Sequence, residues 1–144
     1  MRSRLLCIAA LVFTVSGAYA RAEPPAGYVL IVHRDNPVTA VDRHFVADAF
    51  LKKTTRWSND VVIRPVDAAA SSDVRRKFSK DVLQRSVAAV RTYWQQIVFS
   101  GRGIPPPELA GDAEIVSYVS RNAGAVGYVS AAAALDGVKV IRVE

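Results

Sequence analysis

The sequence predicts an α/β domain in which a mostly parallel sheet is flanked by helices. Short runs of β-branched and aromatic residues, at 28–32, 61–66, 125–129 and 138–143, have the near-continuous apolar character of strands covered on both faces. Segments between them carry apolar residues at three- and four-residue spacing, the period of an amphipathic helix. The two patterns alternate along the chain, which is the order of a layered α/β domain with one core.

Each element has its own local signal. The first strand stops at Asn36-Pro37, a turn pair. Asp42 stands as the N-cap of a helix running to Leu51, with Val41 and Val46 as its hydrophobic staple and Phe45, Ala49 and Phe50 recurring at helical spacing. A polar loop containing Trp57 leads to the second strand at 61–66. A small-residue loop then opens a helix from Ser72 to about Leu83, with Val74, Phe78 and Val82 in one stripe. Ser86 caps the next helix, whose apolar face is Val87, Val90, Trp94, Ile97 and Val98. Ser100-Gly101-Arg102-Gly103 and three consecutive prolines, Pro105 to Pro107, end it. Asp112 caps a further helix that turns Ile115, Val116 and Val119 inward, and Asn122 and Gly124 stop it. After the strand at 125–129, residues 130–135 predict a short helical turn before the last strand.

The chain begins with the pattern of a secretory signal peptide, residues 1–20. Arg2 and Arg4 form the basic start, and Ala18-Tyr19-Ala20 is a small-x-small cleavage site. The apolar run between them is shorter than the roughly 20 residues a spanning helix needs. Ala20-Arg21-Ala22 offers a second cut. The expectation is an exported chain, periplasmic where an outer membrane exists, with residues 21–144 forming one domain and no membrane insertion after cleavage. Cleavage removes the only cysteine, Cys7, so the mature chain has no disulfide, no thiol catalysis and no Cys-based metal site.

The mature chain keeps 17 basic and 13 acidic residues, a net charge of +4. The basic residues are scattered, and no Lys/Arg run is interleaved with aromatics, so no nucleic-acid partner is expected. His33 and His44 are the only histidines, and no metal or cofactor site is expected from them. No Gly-x-Ser-x-Gly elbow is present, and the expectation is a protein that is not an enzyme.

The stretch 66–78, Val-Asp-Ala-Ala-Ala-Ser-Ser-Asp-Val-Arg-Arg-Lys-Phe, has the layout of an anion-binding strand-loop-helix. A helix start presents unpaired N–H groups and a partial positive charge. Ser71 and Ser72 are the candidate hydroxyl donors, and either also serves as a plain N-cap. Arg75 is the candidate cation, beside Arg76, although a basic pair on a helix surface is more often simply solvated. Asp67, at the strand end, either accepts a proton-bearing oxyanion or holds a turn. Tyr128, beside a glycine in a short strand, lines the pocket or packs. Asp67 and Asp73 also place two carboxylates where an anion would sit.

Three motifs in order then resemble a known family. Asn36-Pro37-Val38 with Phe50-Leu51, Lys53 and Trp57 resembles "NPV … IF.GK … W". The strand at 61–66 with Ser72, Arg75 and Phe78 resembles "I.PV.R..GSGTR..F", and 123–129 resembles "PGAIGYV". These motifs resemble those of the phosphate-type substrate-binding proteins of ABC transporters, in the type II periplasmic-binding-protein class. The resemblance implies an α/β fold, here a single lobe, and a non-catalytic role in binding a small oxyanion such as phosphate. Its implied partners are an ABC transporter, a sensor or a second copy of the chain. The motif is altered where the ligand would bind: Ala68 replaces its Arg, Asp73 its Gly and Val74 its Thr. Loss of a bidentate cation and a hydroxyl donor implies weak or lost binding. The alternative is a single-lobe interaction module without a small-molecule ligand. Intact-mass spectrometry of the exported protein should find cleavage after Ala20 or Ala22; an exported chain retaining Met1 would exclude it.

Overall fold

The computed structural model describes residues 27–144. The expected signal peptide and both cleavage sites lie outside them. A five-stranded sheet is built from β1 (Tyr28–His33), β2 (Ala40–Val41), β3 (Arg64–Pro65), β6 (Ala125–Ser130) and β7 (Val138–Val143), in the order β2-β7-β1-β6-β3. The strands β4 (Asp67–Ala68) and β5 (Glu108–Leu109) pair separately and parallel. In the large sheet β2, β7, β6 and β3 run in one direction, and β1 alone runs against them. The mostly parallel sheet expected from the sequence is present, with its one reversed strand in the middle. Leu30 on β1 lies opposite Tyr128 on one side and Ile141 on the other.

Helices cover both faces. They are α1 (Arg43–Phe50), α2 (Asp73–Phe78), α3 (Val87–Phe99) and α4 (Asp112–Arg121). The Tyr128 ring stacks on Phe78 of α2 with centroids 3.8 Å apart, and lies 5.6 Å from Phe50 of α1. Its neighbour Gly127 faces the other way, where a Cβ would stand 2.9 Å from Ile115 of α4. Adjacent strand residues point to opposite faces. The domain therefore has three layers, with α1 and α2 on one side of the sheet and α4 on the other.

Three of the expected caps form. Asp42 accepts from His44 N at 2.7 Å, Ser72 from Arg75 N at 3.1 Å and Ser86 from Ala89 N at 3.1 Å. The fourth does not: Gly111 occupies the N-cap of α4, and Asp112 is the first helical residue. The Asp112 carboxylate instead accepts from the Ser130 amide and hydroxyl, tying the start of α4 to the end of β6. The strand expected at 61–66 pairs with the sheet through β3 and the Val66 amide. Pro65 is tolerated because β3 lies on the sheet edge, with Arg64 N and Val66 N bonding to Gly124 O and Val126 O on either side of it. The helical turn expected at 130–135 is a plain turn closed by Ala133 N to Ser130 O. A segment that short offers too few hydrogen bonds to offset helix nucleation.

The helix expected from Ser72 to Leu83 is α-helical only to Phe78. It continues as a π-helical turn, Ser79–Leu83, and ends at Gln84 in the left-handed region. The apolar face expected on α3 is only partly covered. Val90 and Trp94 are buried, while Val98 is half exposed; beside that face Phe99 stands 94% exposed.

Gly124 has a local reason to be glycine. Its φ is +80°, and a Cβ there would stand 2.1 Å from the Val62 carbonyl oxygen. Its own carbonyl accepts from Trp57 Nε1 at 2.9 Å and from Arg64 N at 3.0 Å, so the backbone cannot shift freely. Gly124→Ala should lower the unfolding free energy by more than about 2 kcal/mol in urea melts. Gly103→Ala, whose Cβ would make an ordinary contact with Ile97 at 3.5 Å, should change it by under about 0.5 kcal/mol.

Candidate functional site

The loop 66–72 is suspended between two strands. Val66 N donates to Val126 O of β6 at 2.9 Å. One residue on, Asp67 N turns to Pro107 O at 2.9 Å, and Ala69 N donates to Leu109 O at 3.0 Å. Ser72 N to Ala69 O closes the turn, and the Ser72 hydroxyl oxygen begins α2. Helical periodicity then places Arg75, Phe78 and Ser79 on the face turned toward the sheet, and all three are buried.

Arg75 consequently enters the core. Its Nη1 donates to Ala68 O at 2.9 Å, stands 3.1 Å from Asp67 Oδ1 and lies 3.6 Å from Glu108 Oε1. The Tyr128 hydroxyl donates to Asp67 Oδ1 at 2.7 Å and accepts from Ala68 N at 3.2 Å. Asp67, Arg75 and Tyr128 thus form one buried network joining a strand end, a helix start and the interior strand β6. The Arg75 Nε–H is buried without an acceptor among the described residues.

Burial pushes the Asp67 carboxyl up to about 6, although Arg75 and the Tyr128 hydroxyl both pull it down. Burial likewise raises the Tyr128 phenol, with the Asp67 charge acting in the same direction. Folding therefore favours the protonated form of Asp67, and this group's contribution to stability falls as pH rises from its unfolded value toward 6.

The five residues singled out in the sequence separate into two places. Asp67, Arg75 and Tyr128 come together inside. Ser72 is a half-buried cap, and Ser71 is exposed. Arg76, the other member of the basic pair, stays outside, donating to Ser71 O at 2.8 Å and pairing with Asp73. Both arginines of the motif are engaged by protein acceptors. The amides of Ala70, Ser71, Asp73 and Val74 have no protein acceptor among the described residues.

Asp67 is a buried ion-pair member rather than a turn or cap residue. Its partner Glu108 was not singled out in the sequence, because nothing local connects a residue after three prolines to a loop so far upstream. Arg91 and Trp94 were missed as lining for the same reason: a cavity of about 110 Å³ lies between Asp67, Arg75, Glu108 and these α3 residues. A larger, open depression of about 600 Å³ lies beside it, lined by Arg76, Lys80 and Arg85 with no carboxylate. Among the described residues no group of three or more His, Cys, Asp or Glu is placed to hold a metal ion, and no helix is long and apolar enough to cross a membrane.

Neither a protein-family profile nor a curated protein matches the chain. Among solved structures, an ABC-type phosphate transport receptor from Vibrio cholerae matches with a TM-score of 0.65 at 22% identity, over 81% of this chain and 46% of that one. The fold is that of the phosphate-type substrate-binding proteins. A provisionally assigned phosphate ABC transporter substrate-binding protein from Clostridium perfringens, with bound phosphate, matches at 25% identity and a TM-score of 0.64, over 81% of this chain and 44% of that one. PstS from Borrelia burgdorferi matches at 12% identity and 0.62, over 82% of this chain and 47% of its own. The chain spans less than half the length of each of these substrate-binding proteins.

Two measurements test the network. Tyr128→Phe removes a buried hydroxyl from both Asp67 and the Ala68 amide and should destabilise by about 1–3 kcal/mol. In denaturant melts across pH, the stability of the wild type relative to Asp67→Asn should rise as pH falls from about 6 toward 4, since only the wild type takes up the proton on folding. A flat difference across that window would mean that Asp67 is not held in a raised state.

Proposed function

We propose that this chain is an exported, non-catalytic solute-binding lobe that holds a small phosphate-like oxyanion weakly. Its fold and the position of its strand-loop-helix support the binding role, and the pattern of residues 1–20 supports export. The observation that carries the weakness is the inward turn of Arg75. Its guanidinium lies 3.1 Å from Asp67 and 3.6 Å from Glu108, so the motif's buried cation is already neutralised. What remains for an oxyanion is the set of free loop amides and the Ser71 and Ser72 hydroxyls, against the exposed Asp73 carboxylate. An ABC transporter is the partner class that the Vibrio cholerae transport receptor suggests.

A second reading rests on a different feature. Phe99 is 94% and Ile104 70% exposed at the far end of α3, an apolar tip suited to an interaction module or to a second copy of the chain. Light scattering that shows a dimer dispersed by Phe99→Ser would favour it.

Calorimetry with inorganic phosphate tests the first reading. The native mature chain should bind weakly. Ala68→Arg with Asp73→Gly should tighten binding, and Val74→Thr should add to it, because a hydrogen bond to a charged group is worth about 2 kcal/mol and a neutral one about 1. A folded triple variant that still gives no heat with phosphate would overturn the oxyanion role.

A further inference from the structure

The cavity of about 110 Å³ beside the Asp67–Arg75 pair is a better-built site than the loop outside it. Its charged lining is balanced: Arg75 and Arg91 carry two positive charges, Asp67 and Glu108 two negative ones. Its walls are apolar, from Trp94 and Pro106. A lone anion entering it meets two carboxylates, and a lone cation meets two guanidinium groups. A molecule carrying both charges a few ångströms apart satisfies both pairs.

Arg75 supplies a second, independent indication. Its side chain is 4% exposed and lines the cavity, yet its Nε–H has no acceptor among the described residues. An unpaired buried donor is costly, and native structures normally satisfy it with protein, water or ligand. Arg91 is exposed at the mouth and makes no ion pair or hydrogen bond among the described residues, so its charge is free. Size limits the occupant. An apolar cavity of about 150 Å³ accommodates benzene, so this smaller one admits a solute with no more non-hydrogen atoms than benzene has, a limit that glycine and alanine meet.

We propose that this cavity binds a small zwitterion, an α-amino acid of glycine or alanine size. The ligand carboxylate meets the unpaired Arg91, its ammonium meets the Glu108 and Asp67 side, and its short side chain lies against Trp94. This rests on the reading of the chain as a solute-binding lobe and names a ligand class other than an oxyanion for the space behind the motif.

Thermal melting and calorimetry of the mature chain test it, with glycine and l-alanine as probes and acetate, methylammonium and phosphate as single-charge controls. A ligand that binds only the folded state must raise the melting temperature. Glycine or alanine should do so, and the three controls at equal concentration should do less. Arg91→Gln should weaken alanine binding about tenfold or more, the equivalent of one charge-assisted hydrogen bond. It should leave the melting temperature of the free protein unchanged, because Arg91 is exposed and unpaired. Ala70→Leu, which fills the cavity from the loop side, should abolish alanine binding. No response to either amino acid, or an equal response to acetate or phosphate, would overturn the proposal, as would alanine binding that ignores Arg91→Gln. The phosphate response of the Ala68→Arg, Asp73→Gly, Val74→Thr variant is read separately. Alanine binding with no such response keeps this site and removes the oxyanion reading; the converse removes this site alone.

Discussion

The Asp67–Arg75 pair is the constraint around which the 66–78 segment is organised. Taking two charges out of water costs several kcal/mol per ion, and their attraction offsets this only when the remaining hydrogen-bonding capacity is met. Here Tyr128 donates to the carboxylate, Ala68 O accepts from the guanidinium, and Glu108 adds a second negative charge at 3.6 Å. The balance is incomplete: among the described residues Arg75 Nε has no acceptor, and burial pushes the Asp67 carboxyl up to about 6. Burial outweighs pairing for Asp67. Such a pair adds little net stability, yet losing one partner would strand the other, so each fixes the position of the next. Asp67 sets where β3 gives way to the loop, Arg75 sets the rotation of α2, and Tyr128 registers both against β6.

That rotation decides what the surface offers. With Arg75 turned inward, Phe78 follows three residues later and stacks on Tyr128. The aromatic cluster of Tyr28, Phe50, Phe78 and Tyr128 closes over the sheet. The outer side of α2 is left with Arg76, which is tied to Asp73 and Ser71 O. A segment laid out like an anion site therefore puts its charged side chains to structural use. The loop amides of Ala70, Ser71, Asp73 and Val74 are left without a protein acceptor among the described residues.

The likeness to solved phosphate-type proteins concerns the layered fold, at identities of 12–25% and over less than half of their length. Within that shared frame, ligand chemistry is set by side chains, and a few changes in one loop are enough to alter it. The charge-balanced cavity lies between the 66–72 loop, α3 and the segment before β5.

The sequence by itself determined the features that arise within a few residues. Ser72 and Ser86 cap helices because a hydroxyl oxygen reaches an amide three residues on. The chain turns after β1, at Arg34–Asp35 just ahead of the expected Asn36-Pro37, and the buried strands β1 and β6 declare themselves through continuous apolar runs. Order and alternation also gave the α/β class and its mostly parallel sheet. Only the tertiary structure decided the rest. The reversal of β1 depends on which strands flank it. The inward turn of Arg75 depends on Asp67 and on Glu108 from beyond the prolines. The Tyr128–Asp67 bond spans 61 residues. Local propensity favours an arginine pair facing water, and it takes a remote carboxylate and a phenol, brought together by the fold, to make burial of one of them tolerable.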